Sequence, residues 1–170
     1  MADPITLEEA KKHLEIQHAA DDDMIQSMLD AAIDYVETES GKNLSEKLVR
    51  QEAGAFGRQV RLFRGPIQSI ERVEYDPVGG GAPLEFTGHR FLNGRLLTAA
   101  GHRFPPASAV RVSYIAGFKP GEMPPALGHA VKLLLGHFYA NREAVNVGNI
   151  VSEFPHGVAS ILRSHRKKSL

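Results

Sequence analysis

Cysteine is absent from the 170 residues. That excludes disulfides, thiolate metal sites, iron–sulfur ligation and cysteine nucleophiles, and it suits folding in a reducing compartment. Long apolar runs are absent too. No stretch approaches the ~18 consecutive apolar residues of a spanning helix, and the N-terminus has no signal-peptide pattern, so a soluble intracellular chain with no membrane partner is expected. Net charge is missing as well: 20 Lys and Arg balance 20 Asp and Glu. With no overall positive field, a general DNA-coating role is disfavoured. Catalytic signatures are equally scarce. There is no His-Glu-x-x-His and no Gly-x-Ser-x-Gly, and the eight histidines are scattered. Gly79-Gly80-Gly81 lacks the Lys-Ser/Thr of a phosphate loop and reads as a loop tip. Asp21-Asp22-Asp23 lacks the alternating ligand spacing of a calcium loop and reads as a helix cap. Glu71, Glu74, Asp76 and Glu85 fall in strand-like sequence, where no two stand out as a catalytic pair. No metal, no cofactor and no enzymatic activity are expected.

What is present suits one globular domain carrying an inserted subdomain, since 42% of residues are hydrophobic and 24% charged. The balanced charge is unevenly spread. Residues 1–47 hold 4 Lys and Arg against 12 Asp and Glu, a net of −8. Residues 48–123 and 124–170 each carry a net of +4. The spread is either ordinary solvated surface or self-complementarity, in which the acidic part of one copy meets a basic part of the next.

Helices are signalled at both ends. Thr6 and Glu9 form a capping box ahead of Leu7, Ala10 and Leu14, predicting a helix that fades near Gln17 and His18. Asp21 to Asp23 precede a longer helix whose apolar stripe is Met24, Ile25, Met28, Leu29, Ala32, Ile33 and Val36, with Gly41 as its stop. A third helix starts at Pro125 and carries Leu127, Ala130, Val131, Leu134 and Phe138 on one stripe, while Leu133 and Leu135 spread its apolar surface further. A short last helix covers Val158, Ile161 and Leu162. Between these, residues 48–118 are rich in Gly, Pro, Arg and β-favouring residues. Short strands are predicted at Val60 to Phe63, Ile67 to Tyr75, Leu84 to Thr87, Arg95 to Thr98 and Ala109 to Ile115. The fold class is therefore α+β: a small bundle of N- and C-terminal helices with an antiparallel β-rich insertion at 48–118.

The order of these pieces resembles a known family. Ile5-Thr6-Leu7-Glu8-Glu9-Ala10-Lys11-Lys12-His13-Leu14, then Asp22-Asp23-Met24-Ile25 leading a helix to Gly41, is similar to the start of tailed-phage head–tail connector proteins. Gly65-Pro66-Ile67-Gln68-Ser69-Ile70, Val112-Ser113-Tyr114-Ile115-Ala116-Gly117-Phe118, Pro124-Pro125-Ala126-Leu127, Phe138-Tyr139-Ala140-Asn141-Arg142-Glu143 and Phe154-Pro155-His156-Gly157-Val158 follow in the family's order. Together they resemble the longer adaptor subfamily with a β-rich insertion, which phage-like gene transfer agents also carry. The resemblance implies a non-catalytic virion protein at the head–tail junction, made in the bacterial host cytoplasm. It implies a homo-oligomeric ring, commonly a dodecamer, lying below the portal protein and extending the DNA channel. That ring docks a stopper or tail-completion protein, and DNA passes through without sequence-specific binding. It also implies that a C-terminal segment, 144–170, engages the portal through Phe154, Ile161, Leu162, Arg163 and Arg166.

Two expectations concern the remaining surface. The acidic residues Asp30, Asp34 and Glu37 either line the DNA channel or meet a basic segment of the neighbouring copy. The apolar residues Leu133, Leu135 and Phe138 are the alternative subunit contact. A DNA-binding packaging or regulatory accessory protein, using the basic end around Arg163 to Lys168, is the alternative function. A small hydrolase of unknown type is a third.

Overall fold

The structure, a computed structural model, describes residues 3–142 and 156–166. It divides into two compact units: Met1–Ser45 with Lys119–Leu170, and Glu46–Phe118.

The first unit is helical. Helix α1 (Leu7–His13) opens with the capping box, in which the Thr6 hydroxyl accepts from the Glu9 N–H and the Glu9 carboxylate accepts from the Thr6 N–H, both at 3.2 Å. It ends four to five residues earlier than its pattern predicts. Glu15 takes a left-handed conformation (φ 59°), the Ile16 N–H reaches the Lys11 carbonyl and the Glu15 N–H reaches that of Lys12. This pair of bonds is a Schellman closure, here built without glycine. Helix α2 (Asp22–Ser40) buries Ile25, Leu29, Ala32 and Val36 and stops at Gly41 in the left-handed region, φ 69°. The expected Asp cap takes another form. Asp21 occupies the N-cap position but makes no side-chain bond to the helix. Its carboxylate instead accepts from the Tyr139 hydroxyl at 3.0 Å and pairs with Arg142 at 3.8 Å. The negative charge still sits at the positive end of the helix dipole.

Helix α3 (Pro125–Ala140) starts on proline as predicted and buries Leu127, Ala130, Val131, Leu134 and Leu135. Helix α4 (His156–His165) buries Val158 and Leu162. α2 packs against all three other helices, and α3 also meets α1 and α4. Four amphipathic helices with one shared apolar interior are the expected solution for sequences of this pattern.

The second unit is all β. Strands β1 (Lys47–Ala53), β7 (Ala107–Ala116), β3 (Ile67–Pro77) and β4 (Leu84–Glu85) form one antiparallel sheet in that order. Strands β2 (Val60–Arg61), β6 (Arg95–Thr98) and β5 (His89–Leu92) form a second one. β7 alternates as a half-buried strand should, with Val110, Val112, Tyr114 and Ala116 inside. These residues share a core with Val60, Leu62, Val73 and Leu96. Beside it, Phe56 stacks on Phe104 with centroids 4.5 Å apart and rings 9° from parallel, flanked by Tyr75 and Phe86. Gln51 ties β1 to the second sheet, donating to the Arg61 carbonyl at 2.7 Å and accepting from the Phe63 N–H at 3.0 Å. The fully buried Tyr114 hydroxyl accepts from the Arg64 N–H at 3.3 Å. Burial pushes its pKa up, so it stays a neutral phenol. Gly79, Gly80 and Gly81, all at positive φ, turn the chain between β3 and β4 as the loop-tip reading requires.

On the β3–β7 ladder, Arg111 forks onto the Asp76 carboxylate, Nη1 reaching Oδ2 at 3.0 Å and Nη2 reaching Oδ1. This bond holds the Asp76 carboxyl below its ordinary value. Its contribution to stability is therefore full above the unfolded pKa of about 4 and is lost as pH falls through the lower folded value. Asp76→Asn should lower the thermal midpoint at neutral pH. The gap from the parent chain should close in strong acid, read by circular dichroism melts from pH 7 to pH 2.

Candidate interaction surfaces

Among the described residues, no group of three or more His, Asp or Glu is placed to hold a metal ion. Three of the four strand carboxylates are engaged with arginines: Arg72 lies 3.6 Å from Glu74 and 3.5 Å from Glu85, and Asp76 is taken by Arg111, while Glu71 accepts from the Ser69 hydroxyl. A concavity of about 950 Å3 is an open groove along α1 lined by Leu7, Glu8, Lys11, Lys12, Glu15, Ile16, Gln17 and Asp22. Its wall mixes charges of both signs, and Lys11 already pairs with Asp22 at 2.6 Å. No described helix is long and apolar enough to cross a membrane.

The acidic residues singled out on α2 separate into two kinds. Asp30 and Asp34 are exposed, and Asp30 accepts a bond from Gln26 at 2.8 Å. Asp23, seven residues before Asp30, continues the same stripe in the open. Glu37 behaves differently, and the expectation that it belongs to this outer face is corrected: it is only 6% exposed. Its carboxylate accepts from the Leu44 N–H at 2.9 Å, fastening the turn after Gly41 back onto the helix. The next acid, Glu39, pairs with Arg166 at 3.6 Å.

The apolar candidates divide in the same way. Leu135 and Leu162 are 0% and 5% exposed, so they fill the interior of the helical unit and present nothing to a partner. This corrects the reading of both as contact residues. Leu133, Phe138 and Ile161 are half-buried. Arg163 on α4 and Arg166 just past its end are exposed, and with Tyr35, Glu39, Ala159 and the edge of Leu162 they line a small groove of about 190 Å3. Burial, then the nearby Glu39 charge, raises the Tyr35 pKa, so its hydroxyl stays neutral at this spot. Phe154, Lys167, Lys168 and most of the expected docking segment lie outside the described residues.

The β unit carries exposed apolar residues that sequence reading did not single out: Phe63 is 64% exposed, Val78 66%, Leu48 47%, Leu84 48% and Leu92 48%. The signal was there in Phe63, whose neighbour Leu62 takes the inward position of the alternation.

Comparison with known proteins bears on these surfaces. Residues 4–64 match the family of phage gp6-like head–tail connector proteins. The whole chain superposes on a chain from the neck of an empty gene transfer agent particle computed with C6 symmetry. The TM-score there is 0.78 at 21% identity, covering 98% of this chain and 91% of that one. A chain from the virion of a native gene transfer agent particle gives 0.75 at 23% identity, with 98% and 91% covered. One from a native neck computed with C12 symmetry gives 0.74 at 23%, with 96% and 89% covered. The resemblance to head–tail connectors is borne out over residues 4–64. Beyond them the fold is shared, β unit included. No curated protein matches the chain.

The division of α2 and α3 residues is testable on the isolated chain. Leu135→Ala should cost about 2–5 kcal/mol and Glu37→Ala about 1–3 kcal/mol in urea unfolding, as a filled core and a buried acceptor demand. Asp30→Ala and Asp34→Ala should stay within about 0.5 kcal/mol of the parent.

Proposed function

We propose that this chain is a structural connector of the head–tail junction of a phage or phage-like particle. Copies of it close into a ring, commonly of twelve, beneath the portal protein. The ring extends the DNA channel and offers a platform to the next neck or tail component. Its work is assembly, with no catalytic step and no cofactor. The observation that carries this reading is the two-way, end-to-end likeness to chains of gene transfer agent necks, one of them computed with twelvefold symmetry. The match of the N-terminal segment to the connector family supports it independently. The surface suits it too, with exposed aspartates, arginines and apolar side chains available to partners.

Within this reading, α4 is the described part of the portal-facing segment. Its exposed residues are Gly157, Ala159, Ser160, Arg163 and Ser164, and Arg166 follows just past its end, giving a small-residue face flanked by two guanidinium groups. Small residues allow close approach, and arginine is the side chain best suited to a carboxylate on a partner. The Arg166–Glu39 pair is exposed, so it adds little to stability and is easily exchanged for an intermolecular partner.

Native mass of the purified chain, alone and with its portal across a concentration series, tests the reading. A closed ring of about twelve copies, alone or on the portal, is the expected result. A monomer that ignores the portal at every concentration overturns it. Arg163→Glu with Arg166→Glu should weaken portal capture by about tenfold or more, leaving the melting temperature nearly unchanged.

A further inference from the structure

The second, three-stranded sheet has an unusual charge pattern. Residues 54–70 and 86–110, which supply β2, β5, β6 and their flanks, contain no Asp or Glu at all. They contain six arginines, Arg58, Arg61, Arg64, Arg90, Arg95 and Arg103, and no lysine. Register decides where three of them, Arg61, Arg90 and Arg95, point, and Arg95 also donates to the Gln59 side chain at 3.3 Å. Arg61 stands opposite Arg95, Arg95 opposite Leu92, and Arg90 opposite Leu97. Directly opposed residues share a face, so these side chains lie on one side of the sheet. Val60, Leu96 and Phe91 form the row on the other side, where Val60 is 5% and Leu96 0% exposed. The outer face is thus an arginine lattice, with Leu92 in it and the exposed Phe63 two residues beyond Arg61.

The chain also carries the complement. Helix α2 contains no Lys or Arg, and Asp23, Asp30 and Asp34 stand exposed along one stripe of it. We propose that the arginine face of the three-stranded sheet in one copy seats the Asp23–Asp30–Asp34 stripe of α2 in the next copy. This rests on the ring reading and names its subunit contact. Two different patches on one chain that fit each other give a heterologous, head-to-tail contact, the kind that closes into rings. Arginine is favoured over lysine for such a contact because its planar fork takes a carboxylate on two bonds. Exposed Phe63 and Leu92 fit a protein partner better than a phosphate backbone, because arginine and aromatic side chains are enriched at protein interfaces.

The cysteine-free chain permits a direct test by disulfide trapping. A chain carrying Asp34→Cys is mixed with one carrying Leu92→Cys, under mild oxidation. Mixed pairs should exceed same-variant pairs by about tenfold, and about 0.5 M salt should remove most of the excess. Adding Asp30→Arg to the first chain, or Arg61→Glu and Arg90→Glu to the second, should abolish the excess. Combining both sets of reversals should restore it. Mixed pairs no more abundant than same-variant pairs overturn the contact, and so does failure of the combined reversals to restore them. If native mass shows rings without this trapping, the ring reading stands and the contact is wrong. If trapping occurs but no ring closes, alone or on the portal, the contact stands and the ring reading fails. Binding of a short duplex DNA that is lost with Arg61→Glu and Arg90→Glu, in the absence of trapping, assigns the face to nucleic acid and overturns the proposal.

Discussion

The pairing of β1 with β7 sets Lys47 opposite Ala116, and much else follows from that register. A β-rich segment of some 70 residues enters and leaves the helical sequence at Ser45 and Lys119. Closing a loop of that length costs conformational entropy, though slowly with length. The two outermost strands meet that cost with a continuous antiparallel ladder from Lys47–Ala116 to Ala53–Val110. Both ends of the segment are thereby held side by side at the base of one sheet. The N-terminal and C-terminal helices can then share an apolar interior although most of the chain's middle lies between them in sequence. β7 is central in this, pairing with β1 on one edge and with β3 on the other. Its inward residues Val110, Val112, Tyr114 and Ala116 supply much of the core that the two sheets enclose.

Charge is organised with comparable economy in the helical unit. Of the acids gathered around α2, Asp21 and Asp22 bind the helix N-terminus to Tyr139, Arg142 and Lys11. Glu37 is spent inside, on the backbone of Leu44. Arg142 also lies over the Tyr139 ring, 4.6 Å from its centroid, so the corner where α3 ends and α2 begins is built from one aromatic, one cation and one carboxylate. Burial and the bond to Asp21 both raise the Tyr139 pKa, consistent with a phenol that must keep its proton to donate. What remains outward on α2 is a stripe of aspartates whose charge no residue of that helix offsets.

The α+β layout was legible because its signals are local. The Thr6–Glu9 capping box, the stripe from Met24 to Val36, Gly41, Pro125 and the alternation of β7 each specify their element without help from distant residues. The misses share a physical cause, since each depends on a partner far along the chain. β1 was not read as a strand because its inward positions are Val49, Gln51 and Ala53, while Leu48 faces out. Gln51 makes sense there only once its bonds to Arg61 and Phe63 exist. Glu37 looked like one more surface acid because helical periodicity does not reveal that Leu44 folds back over it. Leu135 looked available because a narrow stripe counts only one packing neighbour, whereas α3 meets three helices. The early stop of α1 at His13 was hidden by a glutamate in a left-handed cap, where glycine is the usual sign.

These features bear on what kind of function the chain can have. Enzymes concentrate converging polar groups in an enclosed, water-poor cleft, where a low dielectric makes each group count. Here the polar groups that converge are used up in structural bonds: Glu37 on a backbone amide, Asp76 on Arg111, Tyr114 on Gln51 and Arg64. Among the groups left outward, two sets are sorted by sign, aspartates along α2 and arginines across the three-stranded sheet. Sorting of this kind costs self-repulsion within each patch. Contact with charge of the opposite sign offsets that cost, and the contact proposed above would supply it between copies.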